Sequence, residues 1–476
     1  MRVRLPTDPP GDASAHLIEN TPVGRVNSTP EEHTPSRPPT VRHESDVHGF
    51  ITRTFFKIGP PGRVGIESEW FVLDPKFPHQ SVPIERLLSL LTAAGPLPAG
   101  SRLTFEPGGQ VELSTVPAIG SAAAVALLSR DVTAAAALLA ESGLAMVATG
   151  TDPLRRPLRI LDQPRYAAME RFFDAEGPNG RFMMTSSAAV QISLEAGADP
   201  ADVRRRWRLA NDLAPLLSAM FANSPLHRGR PTGLRTSRQA FWTGIDPGRT
   251  RAPAGADPVA AYTRFALAAR VMVVRHPDGG WLADPGFTFG EWVAGTVGHR
   301  PTEADLAYHL TTLFPPVRPR AWLEFRSVDA LPMPWWPVAV ATCAILLDDP
   351  QAQQHAAQIA AGVAGRWPEA IRDALTDRPL QQAARHCLTA VEAALRRSAD
   401  PADQPLADQV EAYLERYVRL GRTPADDVLD AFATGAPPWA AVSAAAGHAF
   451  VPGTAVANPS PPQPEPAEGR SGGRPA

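Results

Sequence analysis

The chain has 476 residues, 44% hydrophobic and 20% charged, and its 46 basic and 49 acidic residues leave a formal charge of −3. That length suits about three average domains or one enzyme-sized unit with tails. The near balance of charge provides no global field for holding a nucleic acid or an anionic membrane surface.

Residues 1–44 are rich in Pro, Thr, Asp, Glu and Ser and poor in large apolar side chains, which predicts a disordered tail without the apolar run of a secretory signal. The folded unit is expected over 45–451. It opens on a helix over 45–57, where Val47, Phe50, Ile51, Thr54 and Phe55 recur at helical spacing. A strand follows over 63–73, then two extended pieces within 103–115 flanking the turn Pro107-Gly108-Gly109. Next come an Ala/Leu-rich helix over 121–141, ended by Gly143, and a short strand over 144–149. The pattern continues with a helix over 166–174, a long strand over 181–195 and an amphipathic helix over 202–221 bent at Pro215. Helices over 259–274 and 303–314 lead to a strand over 322–328, and from Pro337 to about residue 445 the chain reads as helical. A second disordered tail is expected over 452–476. The irregular alternation predicts an α+β fold with a mainly antiparallel sheet, flanking helices and a helical C-terminal region, rather than a doubly wound sheet.

Lys57 and Lys76 are the only lysines, so arginine fills nearly every basic position and each arginine is weak evidence for a site. The run Arg204, Arg205, Arg206 and Arg208 reads as a solvated helix face. No window approaches about 18 uninterrupted apolar residues. Cys343 and Cys387 stand far apart in apolar sequence, which fits free buried thiols in a reducing compartment, and a cytoplasmic protein is expected. Within the expected folded unit, Walker-type phosphate loops, His-Glu-x-x-His, Cys-x-x-Cys and a Gly-x-Ser-x-Gly elbow are absent, so any metal would be held by oxygen.

Carboxylates on strands carry the chemical signal. In 63–73, Val64, Ile66, Trp70 and Val72 share one face while Glu67 and Glu69 share the other. An edge strand with both glutamates in water is one reading, and a buried pair bridged by a cation is the other. Glu106 falls at the turn, and Glu112 lies on the returning strand beside Gln110 and Ser114; Glu324 and Arg326 share a face of the strand over 322–328. Thr185, Ser187, Gln191 and Ser193 form a neutral polar face, from which Gln191 could add a ligand or a hydrogen bond. Arg235 and Arg238 could face a common anion from the loop over 223–242. Five carboxylates on one sheet require divalent cations, Mg2+ or Mn2+ given oxygen ligands alone, and the natural client of such a cluster is ATP.

These residues lie in Gly-Ile-Glu-Ser-Glu (65–69), Phe-Glu-Pro-Gly-Gly-Gln-Val-Glu-Leu-Ser (105–114), Met-Met-Thr-Ser-Ser-Ala-Ala-Val-Gln-Ile (183–192), Asn-Ser-Pro (223–225) with the loop to Arg238, and Leu-Glu-Phe-Arg (323–326). In that order the motifs resemble the glutamate-cysteine ligases of the plant and actinobacterial type, within the glutamine-synthetase-like carboxylate-amine ligases. Arg-Tyr-Ala-Ala-Met-Glu (165–170), Asp-Pro-Gly-Arg-Thr (246–250) and Phe-Pro-Pro-Val-Arg-Pro (314–319) look most like the branch that serves ergothioneine synthesis. The resemblance implies a curved sheet forming a half-open barrel, and ATP-dependent joining of the γ-carboxylate of L-glutamate to the amine of L-cysteine. It implies Glu67, Glu69, Glu106, Glu112 and Glu324 as Mg2+ ligands, with Glu67 also catalytic. Arg326 would face the transferring phosphoryl group and the nucleotide, and Arg238, with Arg235 beside it, the anionic substrates. Gln191 stands where related ligases can place a histidine, so a hydrogen bond to nucleotide or substrate is its expected part. A ligase of the same fold with another amine acceptor and a non-catalytic nucleotide-binding regulator are the alternatives; oligomeric state is left open.

Overall fold

A computed structural model describes residues 39–93, 95–275 and 280–445. The tails expected from the sequence lie largely outside these residues, although Thr40 bridges Thr302 and Val41 is already buried. In chain order the strands are β1 (Arg63–Leu73), β2 (Arg102–Phe105), β3 (Val111–Ser114), β4 (Ala118–Ile119), β5 (Ala145–Val147), β6 (Ala189–Glu195), β7 (Leu226–His227), β8 (Arg230–Pro231), β9 (Val273–Arg275), β10 (Trp281–Ala283), β11 (Val317–Pro319) and β12 (Trp322–Asp329).

Eight of them make one open sheet in the order β11-β12-β6-β1-β3-β2, with β4 and β5 also paired to β1, and every strand pairing is antiparallel. The α+β expectation with a mainly antiparallel sheet therefore holds, and the sheet does not close into a barrel. Directly opposed residues in an antiparallel ladder point to the same face. Val64 and Ile66 of β1, Val111 and Leu113 of β3, Val190, Ile192 and Leu194 of β6, and Leu323 and Phe325 of β12 are accordingly buried together in the main core. Helices Ser121–Glu141, Pro200–Met220 and Trp336–Asp348 cover that face, against β1, β12 and β6 respectively.

Helix Ser121–Glu141 is long and apolar enough to cross a bilayer, with mean hydropathy 1.6. Its stripe of Ala124, Leu128, Val132, Ala135 and Leu139 is instead core, and the buried Asp131 accepts backbone N–H bonds from Ala99 (2.6 Å) and Ser101 (2.9 Å). Cys343 and Cys387 are both buried and free.

Two local expectations give way to tertiary structure, and one helix appears without having been expected. Residues 181–185 belong to a short helix, Asn179–Thr185, and the strand begins only at Ala189. The Thr185 hydroxyl donates to the Arg181 carbonyl (2.8 Å), and Gly180 packs where a Cβ would lie 2.1 Å from that of Phe173. The helix expected over 259–274 ends at Ala268, because Val271 N–H bonds to Phe287 and β9 pairs with β10. Helix Ile84–Ala93, not expected from the sequence, buries Ile84, Leu87 and Leu91.

On β6 the core and pocket faces alternate residue by residue. Ile192→Ala is expected to cost about 2–5 kcal/mol in denaturant unfolding, because its side chain is wholly buried between β1 and β12.

Candidate active site

The other face of the same sheet is polar. Glu67 opposes Ser114 on β3 and Gln191 on β6, Glu69 opposes Glu112, Glu112 opposes Thr104 on β2, and Glu324 opposes Ser193 and Arg318. These pairings place Glu67, Glu69, Glu112, Gln191 and Glu324 on one surface. The turn between β2 and β3 adds Glu106, whose N–H donates to the Gln110 carbonyl at 2.9 Å. All of these but Glu324 line a cavity of about 250 Å3, together with Arg238, Arg318, Arg320 and Arg326.

One half of the cavity is acidic. Glu69, Glu106 and Glu112 each offer a carboxylate oxygen within 4.8 Å of the other two. Burial first, then the charges of Glu112 and Glu324, push the Glu67 carboxyl up to about 8. Burial and Glu112 push Glu69 up to about 7 against Arg238 and Arg326, and burial with Glu112 and Glu69 holds Glu106 well above the usual carboxylate range. Carboxylates so placed either keep a proton or take a cation. Three carboxylate donors with no histidine or cysteine in the group are the set that Mg2+ or Mn2+ prefers. Neighbours set their orientation: the Gln191 amide (2.8 Å) and Ala189 N–H (2.9 Å) donate to Glu69, and the Thr104 hydroxyl donates to Glu112 at 2.6 Å.

The other half is cationic. Glu324, 2% exposed, accepts two bonds from the Arg318 guanidinium, at 2.8 and 3.0 Å, pairs with Arg320 at 3.4 Å, and bonds to Arg326. Burial would raise its carboxyl, yet these three guanidinium groups hold it well below its ordinary range. Glu324 therefore stands apart from the three-carboxylate group and serves the arginines here, which differs from its expected place as a metal ligand. Arg326 also donates to the Gln191 side-chain oxygen, so Gln191 links the two halves.

Arg238 lies buried with a guanidinium N–H on the Arg326 carbonyl at 2.9 Å, and both guanidinium groups sit 5.3 Å from the Trp242 ring centre. Arg235 is not brought to the cavity. Its side chain donates to Asp426 of helix Pro424–Ala433 at 2.8 Å, which corrects its expected role on substrate. Arg318, Arg320 and the apolar wall of Met169, Met183, Met184, Trp242 and Phe314 were not singled out from the sequence. The arginine excess hid the first two, although the short reverse between β11 and β12 opposes Arg318 to Glu324.

A glutamate-cysteine ligase family 2 model matches residues 63–446. The chain is 44% identical to the glutamate-cysteine ligase EgtA of Mycolicibacterium smegmatis, covering 78% of this chain and 88% of that protein. It is 42% identical to the Mycobacterium tuberculosis (strain CDC 1551 / Oshkosh) protein of the same name, covering 78% and 86%. A chloroplastic glutamate-cysteine ligase of Brassica juncea is 30% identical over 48% of this chain and 46% of that one.

The turn that carries Glu106 is seated by a close backbone approach. A Cβ on Gly108 would lie 2.1 Å from the Thr185 carbonyl oxygen, and Gln110 donates to the Ser187 carbonyl at 2.7 Å. Gly108→Ala is expected to displace Glu106 and weaken Mg2+ binding, read by titration calorimetry, by roughly tenfold or more.

Proposed function

The chain belongs to glutamate-cysteine ligase family 2, and from that membership we propose how its pocket works. It is an ATP-dependent ligase that joins the γ-carboxylate of L-glutamate to the amine of L-cysteine, giving γ-glutamylcysteine, ADP and phosphate. The observation that carries the site assignment is the division of one sheet face into an acidic half and a guanidinium half around a single cavity.

Glu69, Glu106 and Glu112 would hold Mg2+, with Mn2+ fitting the same donor set and Glu67 beside them; Glu324 would join only as its arginines move to substrate anions. Bound there, the cation would neutralise the β- and γ-phosphates of ATP against the incoming glutamate carboxylate. The protein's own part is placement and charge. Arg326 and Arg238 both line the cavity, each with an Nε buried without a partner; Arg326 would meet the transferring phosphoryl group and Arg238 an anionic substrate. Arg318 and Arg320 can exchange Glu324 for nucleotide phosphates, so that binding the polyphosphate frees a carboxylate as it takes up guanidinium charge. Gln191 holds Glu69 and Arg326 in register.

The γ-carboxylate oxygen attacks the γ-phosphorus, ADP leaves, and the neutral amine of cysteine then attacks the acyl carbon of γ-glutamyl phosphate and expels phosphate. The apolar wall of Met169, Met183, Met184, Trp242 and Phe314 excludes water from that acyl phosphate. Buried free Cys343 and Cys387 fit a reducing cytoplasmic setting and take no part in the chemistry. We treat residues 45–451 as one catalytic domain, and the likeness of its motifs to the ergothioneine branch supports ergothioneine synthesis as the destination of the product.

Purified protein should release phosphate from MgATP only when L-glutamate and an amine acceptor are both present. Equal rates across a panel of amino acids would overturn cysteine as that acceptor. Glu67→Gln is expected to lower turnover about 100-fold or more; undiminished turnover would remove Glu67 from the site.

A further inference from the structure

The strand β12 contains one extra residue relative to β6. Phe325 pairs with Ile192 and Val328 with Val190, so Arg326 and Ser327 together face Gln191. Such a bulge reverses the alternation beyond it. Before the bulge the even residues of β12 face the cavity; after it the odd one does, and Asp329 comes to lie opposite Ala189 on the cavity side.

Asp329 is 1% exposed, and its carboxylate is completely engaged. Oδ2 accepts from the Asn223 N–H (2.9 Å) and the Ser224 hydroxyl (2.7 Å), and Oδ1 accepts from the Thr236 hydroxyl (3.1 Å) and lies 3.7 Å from an Arg238 guanidinium nitrogen. The Ser224 hydroxyl also accepts the Arg238 backbone N–H at 3.2 Å, so one serine ties the carboxylate to the backbone of the arginine it faces. Gly150 closes the remaining side: a Cβ there would lie 2.5 Å from the Asp329 carboxyl carbon. Asp329 is the carboxylate paired with Arg238, whose guanidinium hydrogen bonds go to the carbonyls of Arg326 and Val328.

We propose that Asp329 is a positioning residue that holds Arg238 aimed for the anionic substrate, acting through Arg238 alone. A guanidinium buried this deeply requires a fixed counter-charge. Asp329 provides one that is itself locked by three donors, and it leaves unpartnered the buried Nε of an arginine that lines the cavity a carboxylate substrate would enter. The inference also explains the Asn-Ser-Pro motif: Asn223 and Ser224 orient this carboxylate. It rests on the reading of Arg238 as a substrate contact.

The test compares Asp329→Asn, Arg238→Ala and the double variant, measuring KM for L-glutamate, KM for ATP, kcat and melting temperature. Asp329→Asn should raise the KM for glutamate roughly tenfold or more while kcat and the KM for ATP move far less. In the Arg238→Ala background it should add nothing further. An unchanged KM for glutamate in Asp329→Asn, or an equal added loss in both backgrounds, would overturn the positioning role. An unchanged KM in Arg238→Ala itself would instead overturn the substrate reading and the inference with it. If Asp329→Asn does not fold, Ser224→Ala reads the same coupling. It should raise the KM for glutamate a few-fold, again with no effect once Arg238 is gone, and the same two results would overturn the proposal.

Discussion

Carboxylates crowded onto a part-buried surface keep their charge only where positive charge stands beside them, and the pocket is arranged around that requirement. Glu67 and Glu69, buried first of all and lying against Glu112, are driven toward protonation, whereas Glu324, equally buried on the same face, is held ionised by Arg318, Arg326 and Arg320. Residue type and face are shared; the nearest neighbours differ, and they decide the sign of the shift. The cavity consequently has a half that invites cations and a half that invites anions. A nucleotide polyphosphate meeting a carboxylate substrate needs both at once.

Backbone register delivers this arrangement, and the apolar side of the sheet protects the register. A slip of one residue in β1 or β6 would turn Glu67, Glu69 and Gln191 into the core and expose Ile66, Val190 and Ile192. The chemistry is therefore held in place by hydrophobic packing on the opposite face, far from any reacting atom. Where the pattern departs from a plain ladder, it does so at functional positions. The bulge at Arg326 and Ser327 re-aims β12, and two glycines, Gly108 and Gly150, let backbone approach where any side chain would collide.

Much of the sheet was legible because period-two alternation survives in β1, β3 and the first half of β12, and the tight turn at Pro107-Gly108-Gly109 announces its hairpin. The segment over 181–195 misled because its polar residues at odd positions also suit a short helix followed by a strand, and the choice rests on how Gly180 packs against Phe173. Arg235 and Arg238, three residues apart and chemically alike, were separated only by their partners, Asp426 from a distant helix and Asp329 from β12. Arg318 and Arg320 were masked by an arginine-rich composition in which no single guanidinium stands out.

By itself the sequence determined the acidic residues, the strands that bear them, the absence of other metal-binding motifs and a resemblance strong enough to name a reaction. These are local properties, written in alternation and spacing. Only the tertiary structure decided which acid would face a cation site and which would face arginines, and that Asp329 crosses to the cavity side. Strand register is a long-range quantity, set by packing β1, β6 and β12 across more than a hundred residues of sequence, and even the arginines within six residues of Glu324 meet it through tertiary pairing, Arg318 across the β11–β12 ladder.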